Sequence, residues 1–295
     1  MVGEATQIGN SNEANPVVTQ KKEIKTSHDL YERYKDFAQV EKEAIEGKIT
    51  KAEYLTSKLE FFRDFMKTKS DTVRAIINQN KDLIALLLKK GVDDVNHIVI
   101  EDLNKLADSC KNLSIDDKVE VLNTVLAAYH PDTAINHSLK MATELVPIAK
   151  DALNLTATEA HQLELGCKIH DVGKLLTSRG KFLDATGDYS ILERNSHPKS
   201  GRDILELFKL PDQLQDYALM HHEKLSGKGG YPINTSNVPS NVQLLSIIDI
   251  YNALSEPRSY KLPLQKNRIS NILDKLIKDG EVSEHFCGLI EKLKN

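Results

Sequence analysis

From His28 to the end of the chain, apolar residues recur three and four positions apart, and strand-like alternation is nearly absent. Such spacing lines apolar side chains along one face of a 3.6-residue turn, so the chain has little choice but to pack helix on helix. The first periodic stretch, from Asp29, stops at Gly47. Thr50 and Glu53 then make a capping box at the head of a second helix. "KDLIALLLKKG" ends in Lys-Lys-Gly, where cations meet the negative end of the helix dipole. A short strand over 97–100 is left open. In the second half, one helix is expected over 132–153, capped by Asp132, with Pro147 inside it. Another should run from Thr156 or Thr158 to about Leu176, and a third should begin near Pro198. "PDQLQDYALMHHE", "PSNVQLLSIIDIYNALS" and two more helices follow. The expected fold is mainly α. Residues 1–25 form a flexible tail, 26–125 an N-terminal helical regulatory or dimerisation domain, and 126–295 a helical bundle.

The 295 residues are 40% hydrophobic, enough to bury a core, and carry a net charge of −4. Lys and Arg number 19 against 22 Asp and Glu up to residue 125, and 20 against 21 beyond it. Neither half has the basic excess of a duplex nucleic-acid binder. Cys110, Cys167 and Cys287 are odd in number and far apart, which suits reduced thiols in the cytoplasm rather than a disulfide framework. No apolar run approaches the roughly 18 residues of a membrane span, and no signal-peptide core is seen at the start. A soluble, cytoplasmic protein is expected.

The chemistry gathers in the second half. "KIHDVGK" sets His170 beside Asp171, with Lys174 three residues on. His137 lies mid-helix, His197 precedes Pro198, and His221 and His222 are adjacent. Asp249 sits among Ile247, Ile248 and Ile250, where a carboxylate is costly unless paired or bound to a cation. Singly, each has an ordinary explanation: a surface or satisfied core histidine, or an aspartate paired with Lys174 or Arg258. Together, five imidazoles and two carboxylates from separate helices suit two transition-metal ions with a carboxylate between them. Two ions about 3.5–4 Å apart favour in-line displacement at phosphorus. Lys174, one turn from His170, could hold a phosphate oxygen or the attacking water.

"HD" at 170–171, "HHE" at 221–223 and a glycine-rich loop ending in "GYP" resemble the HD-GYP subgroup of the HD-domain phosphohydrolases. "SHPKSGRDIL" and "IIDIYNALSEPRSYK" extend the resemblance over roughly residues 130–290. It implies an HD-type bundle with a binuclear metal site, filled by iron or otherwise manganese. It implies hydrolysis of cyclic di-GMP to linear pGpG or onward to GMP by a metal-activated water. One ion would take His137, His170, Asp171 and Asp249, and the other His197, His221 and His222, with Asp171 bridging. Lys174 would lie beside the bridging water, and Arg258, Lys261 and Tyr231 would meet the substrate. Three departures stand out. Thr133 occupies the place of a third-metal glutamate, so two ions are expected. Asn252 replaces the second aspartate of Asp-x-x-Asp. The loop is one residue longer, putting Gly230 where the tyrosine belongs and Tyr231 one later, and Ser226 stands in place of an aspartate. The displaced tyrosine implies weak turnover, and leaves open a receptor for cyclic di-GMP or for metal, or another nucleotide substrate. A homodimer or a signalling partner would act through the N-terminal domain. His28, His97, His130, His161 and His285 match no family position and are expected at the surface, and Cys167 in the core.

Overall fold

Thr50, Ser70, Ser114 and Thr156 each accept a hydrogen bond from the backbone N–H three residues on, and a helix starts after each. Thr50 and Thr156 complete capping boxes with Glu53 and Glu159. A computed structural model describes residues 27–90, 98–177, 191–229, 233, 235–256 and 262–294. Among these no strand occurs. The expected tail lies outside the described residues, as do His97, Tyr231, Arg258 and Lys261.

The first helices are α1 (Ser27–Ile45), α2 (Lys51–Lys67), α3 (Asp71–Gln79), α4 (Lys81–Leu88) and α5 (Asn104–Cys110). Residues 98 and 99 have no regular structure and Ile100–Leu103 form a 3₁₀ turn, so the described part of 97–100 holds no strand. α6 (Ile115–Tyr129) then crosses the expected boundary at 125/126 without a break. It is buried on every side from Val121 on, and takes the polar Asn123 and Thr124 inside with it. α2, α3 and α4 pack on it, and so do residues 132–139, residues 157–169 and the 172–176 turn, around His137 and His170. The second half continues with α7 (Val146–Leu153), α8 (Ala157–Ile169), α9 (Ile191–Leu207), α10 (Asp212–Met220), α11 (Ser240–Ser255), α12 (Lys266–Lys278) and α13 (Cys287–Lys294).

Three expectations are corrected. The helix expected over 132–153 is widened to π winding over 132–139 and 141–145, and returns to α winding at Val146, next to Pro147. Asp132 does not cap it; its carboxylate instead accepts hydrogen bonds from Tyr34 of α1 (2.7 Å) and from Asn136 (3.0 Å). α8 ends at Ile169 rather than near Leu176, and a 3₁₀ turn covers Val172–Leu176. α9 starts at Ile191, so Pro198 stands inside the helix and not at its head. A proline there forfeits one backbone hydrogen bond, which the packing of α9 on 172–176 and α10 must offset.

The N-terminal helices are tied to α8 by charge. Glu120 of α6 holds Lys69 at 2.8 Å and Lys168 at 2.9 Å, and Lys168 also meets Glu164. Burial opposes ionisation of Glu120, but the two lysines win and bring its carboxyl down to about 2. A carboxyl depressed in the folded state adds stability that is full above its unfolded value and lost as pH falls through the folded one. Glu120→Gln should therefore cost roughly 2–3 kcal/mol near pH 7. Denaturant melts should show that difference shrinking from pH 5 towards pH 2.

Candidate metal centre

The chain breaks direction at Asp171, whose φ of −94° and ψ of 8° end the helical run of α8. Consecutive side chains therefore part, and the carboxylate of Asp171 enters a space lined by imidazoles from other elements. Its Oδ2 lies 3.6 Å from both His137 Nε2 and His170 Nε2. Its Oδ1 lies 3.3 Å from His197 Nε2 and 3.8 Å from His221 Nε2. One carboxylate thus turns one oxygen to each of two groups. In the first, His137 Nε2 is 3.2 Å from His170 Nε2 and 3.0 Å from Asp249 Oδ1. In the second, His197 Nε2 is 3.2 Å from His221 Nε2, and the His222 ring lies 5.2 Å from that of His197. Within each trio, His137–His170–Asp249 and His197–His221–His222, one donor atom per residue falls within 4.8 Å of the others.

Two glycines make this convergence possible. A Cβ on Gly173 would stand 1.9 Å from the carbonyl oxygen of His197 and 2.5 Å from the backbone nitrogen of Gly201. The turn after Asp171 therefore lies directly on α9 at His197. Gly166 does the same between α8 and α10, where a Cβ would meet the Tyr217 ring at 2.6 Å.

The ring nitrogens away from the centre are held in place. His170 Nδ1 lies 3.0 Å from the carbonyl of Cys167, and His221 Nδ1 lies 2.8 Å from that of Ala218. A carbonyl can only accept, so each Nδ1 carries the proton and each Nε2 turns a lone pair inward. Asn252 Nδ2 lies 2.9 Å from His137 Nδ1 and 3.4 Å from the His137 carbonyl, to which it donates, so the amide braces the ring from behind. His137 Nε2 and His197 Nε2 each stand 3.2 Å from one of these two inward-facing nitrogens. Ligands about 2.1 Å from a common ion lie about 3.0–3.4 Å apart at tetrahedral or octahedral angles, which fits these separations. The donor set of imidazoles and carboxylates suits divalent transition metals.

Electrostatics agree. Burial, and then the neighbouring imidazoles, push His221 well below the ordinary histidine range, and burial with His197 brings His222 down to about 3. Both stay neutral, as ligands must. Burial would raise the carboxyls of Asp171 and Asp249. Lys174, His170 and His197 outweigh it at Asp171, and His137 does at Asp249, so both fall below the usual carboxylate range. Lys174 pairs with Asp171 and lines the same cavity, which measures about 520 Å³.

One residue was misplaced by sequence reasoning. His130 is buried, 5% exposed, against the Tyr129 ring, and Lys174 and Asp171 are near enough to affect its charge. Its position directly after the apolar run "VLAAY" was the available signal. Cys167 is fully buried, and burial raises its thiol. His161 and His285 are exposed. Gly173→Ala should lower stability by about 3 kcal/mol or more, because the methyl meets backbone and not a pliable side chain. A thermal melt beside Gly47→Ala, where a Cβ would meet nothing within 4 Å though φ is +67°, separates crowding from the loss of glycine.

Residues 134–254 match the HD domain family model. Among relatives, the 3'3'-cGAMP-specific phosphodiesterase 1 of Vibrio cholerae is 26% identical over 52% of this chain and 36% of its own length. The 3'3'-cGAMP-specific phosphodiesterase 2 of the same organism is 33% identical over 39% of this chain and 23% of its own. The cyclic di-GMP phosphodiesterase response regulator RpfG of Xanthomonas campestris is 22% identical over 69% and 58%. The chain thus spans less than two thirds of the length of each of these relatives. The crystal structure of the HD domain of the L. monocytogenes phosphodiesterase PgpH is 21% identical and overlays with a TM-score of 0.45, covering 59% of this chain and 95% of that one. No described helix is long and apolar enough to cross a membrane. The segment that brings His137, Asp171 and Asp249 together is thus an HD domain.

Proposed function

We propose that this chain hydrolyses a phosphodiester bond of a cyclic dinucleotide, with cyclic di-GMP as the first candidate, and that it does so as a member of the HD-GYP subgroup. The observation that carries the reading is the Asp171 carboxylate, with one oxygen turned to each histidine group. His137, His170 and Asp249 would hold one divalent ion, and His197, His221 and His222 the other, with Asp171 between them. Iron is the first candidate and manganese the second. Bound there, two ions supply positive charge to the phosphoryl oxygens and a more acidic water to attack phosphorus. The protein's own part is placement. Carbonyls behind His170 and His221 fix their rings, and Asp171 sets the separation of the two groups. Lys174 brings a cation to the lining of the cavity, where it can meet a non-bridging phosphate oxygen. Ile250 and Leu276 give the same cavity an apolar flank suited to a base. Arg258, Lys261 and Tyr231 remain proposed substrate contacts on the strength of the sequence motif.

The relatives act on two different cyclic dinucleotides by name, so substrate choice is part of the test. Purified protein should carry about two ions per chain by elemental analysis, and should convert cyclic di-GMP to pGpG or GMP by chromatography. Parallel reactions with 3'3'-cGAMP decide between the two nucleotides. Tight binding without product would assign a receptor. Asp171→Ala should lose both ions and at least about a hundredfold in rate, because it removes the group shared by both trios. Retention of two ions in that variant would refute the assignment.

A further inference from the structure

His221 and His222 face the centre; the next residue, Glu223, belongs to neither trio. It is 4% exposed, and its carboxylate accepts the backbone N–H of Ile233 at 2.9 Å and of Thr235 at 3.3 Å. Those amides lie ten and twelve residues on, and Gly229, between them and Glu223 in the chain, lines the cavity. The near side of that stretch is fastened by its own backbone. A Cβ on Gly229 would stand 2.5 Å from the carbonyl oxygen of His222 and 2.7 Å from Glu223 Cα, so the chain folds back onto the segment it left. Leu225 donates its N–H to the carbonyl of Glu281, and Lys224 pairs with the Glu281 carboxylate at 2.7 Å. Glu223, Lys224, Gly229 and Glu281 all line the cavity that holds the histidines.

We infer that Glu223 is a positioning residue. Its carboxylate ties Ile233 and Thr235 to the metal-facing end of α10, beside the cavity wall that Glu223, Lys224 and Gly229 form, and it holds no ion itself. The inference rests on the proposed function only in taking that wall to be a substrate wall. A buried carboxylate that accepts two backbone N–H groups is a strong fastening, because each bond is charge-assisted. An amide of the same size offers one oxygen and turns an NH₂ group towards the second donor.

Glu223→Gln separates the roles. Elemental analysis should find the same metal content as the unaltered protein. Hydrolysis of bis(p-nitrophenyl) phosphate, a small diester that needs little wall, should stay within about twofold. For cyclic di-GMP, KM should rise about tenfold while kcat changes far less, in line with the loss of one charge-assisted bond. Hydrogen exchange should quicken about tenfold at the amides of Ile233 and Thr235, with α10 and α11 unchanged. Glu223→Asp, which keeps the charge on a shorter arm, should recover part of the KM. Loss of metal in Glu223→Gln would make Glu223 part of the centre and overturn the inference, as would unchanged exchange at Ile233 and Thr235. If the unaltered protein holds metal and cleaves the small diester but neither binds nor cleaves a cyclic dinucleotide, the proposed function fails. The exchange measurement then still decides the role of Glu223.

Discussion

The carboxylate of Asp171 sits 3% exposed among four imidazoles, and the structure around it is arranged to make that tolerable. A buried carboxylate with no compensation is too costly to stay ionised. Here Lys174 provides a permanent charge, and the histidines provide nitrogen atoms that a shared cation would join to it. The geometry follows from that need. Asp171 must leave the helical run of α8 to point between the two trios, so α8 ends where it does. Gly173 must lack a side chain, so that α9 can bring His197 within 3.3 Å. The same carboxylate that would be a defect in an ordinary core thus sets the separation between the two trios.

Much of this was legible in the sequence because it rests on local rules. A capping box at Thr50 marked the head of α2, the head of α8 was narrowed to Thr156 or Thr158, and apolar spacing marked α11 with Asp249 on it. The centre was legible for a different reason: histidines in unrelated helices have no common local cause. What escaped was decided by packing. π winding over 132–145 leaves no periodicity distinct from 3.6 over so short a stretch, yet it sets the angle at which His137 enters. Pro198 read as a helix head because proline is at ease there, whereas the contacts of α9 carry it inside the helix. His130 read as a surface residue because the sequence does not show that Tyr129 and α6 are covered from both sides. The role of Glu223 was hidden in a motif whose histidines drew the attention, and only the position of two distant amides reveals it.

α6 is where the two halves of the chain become one structure. Asn123 donates to the carbonyl of Lys168, two residues before His170, at 3.1 Å, and Glu120 holds the side chain of that same lysine. α1 reaches the other members of the first trio. Tyr34 binds Asp132, five residues before His137, and Tyr31 binds Glu256 at the end of α11, which carries Asp249. Lys140, on the His137 element, pairs with the same Glu256. Each element that supplies His137, His170 or Asp249 is therefore in hydrogen-bond contact with α1 or α6. α9 is tied to α6 at its far end, through Lys118 on the carbonyl of Phe208, eleven residues past His197. The first trio is braced by the N-terminal helices close to its ligands, and the second mainly by glycine-mediated packing around Asp171. A regulatory N-terminal domain remains our proposal; if it acts on the centre, these contacts give it a shorter path to His137, His170 and Asp249 than to His197. Coupling of that kind requires an element with two arrangements, so the contacts alone make a path and not a switch.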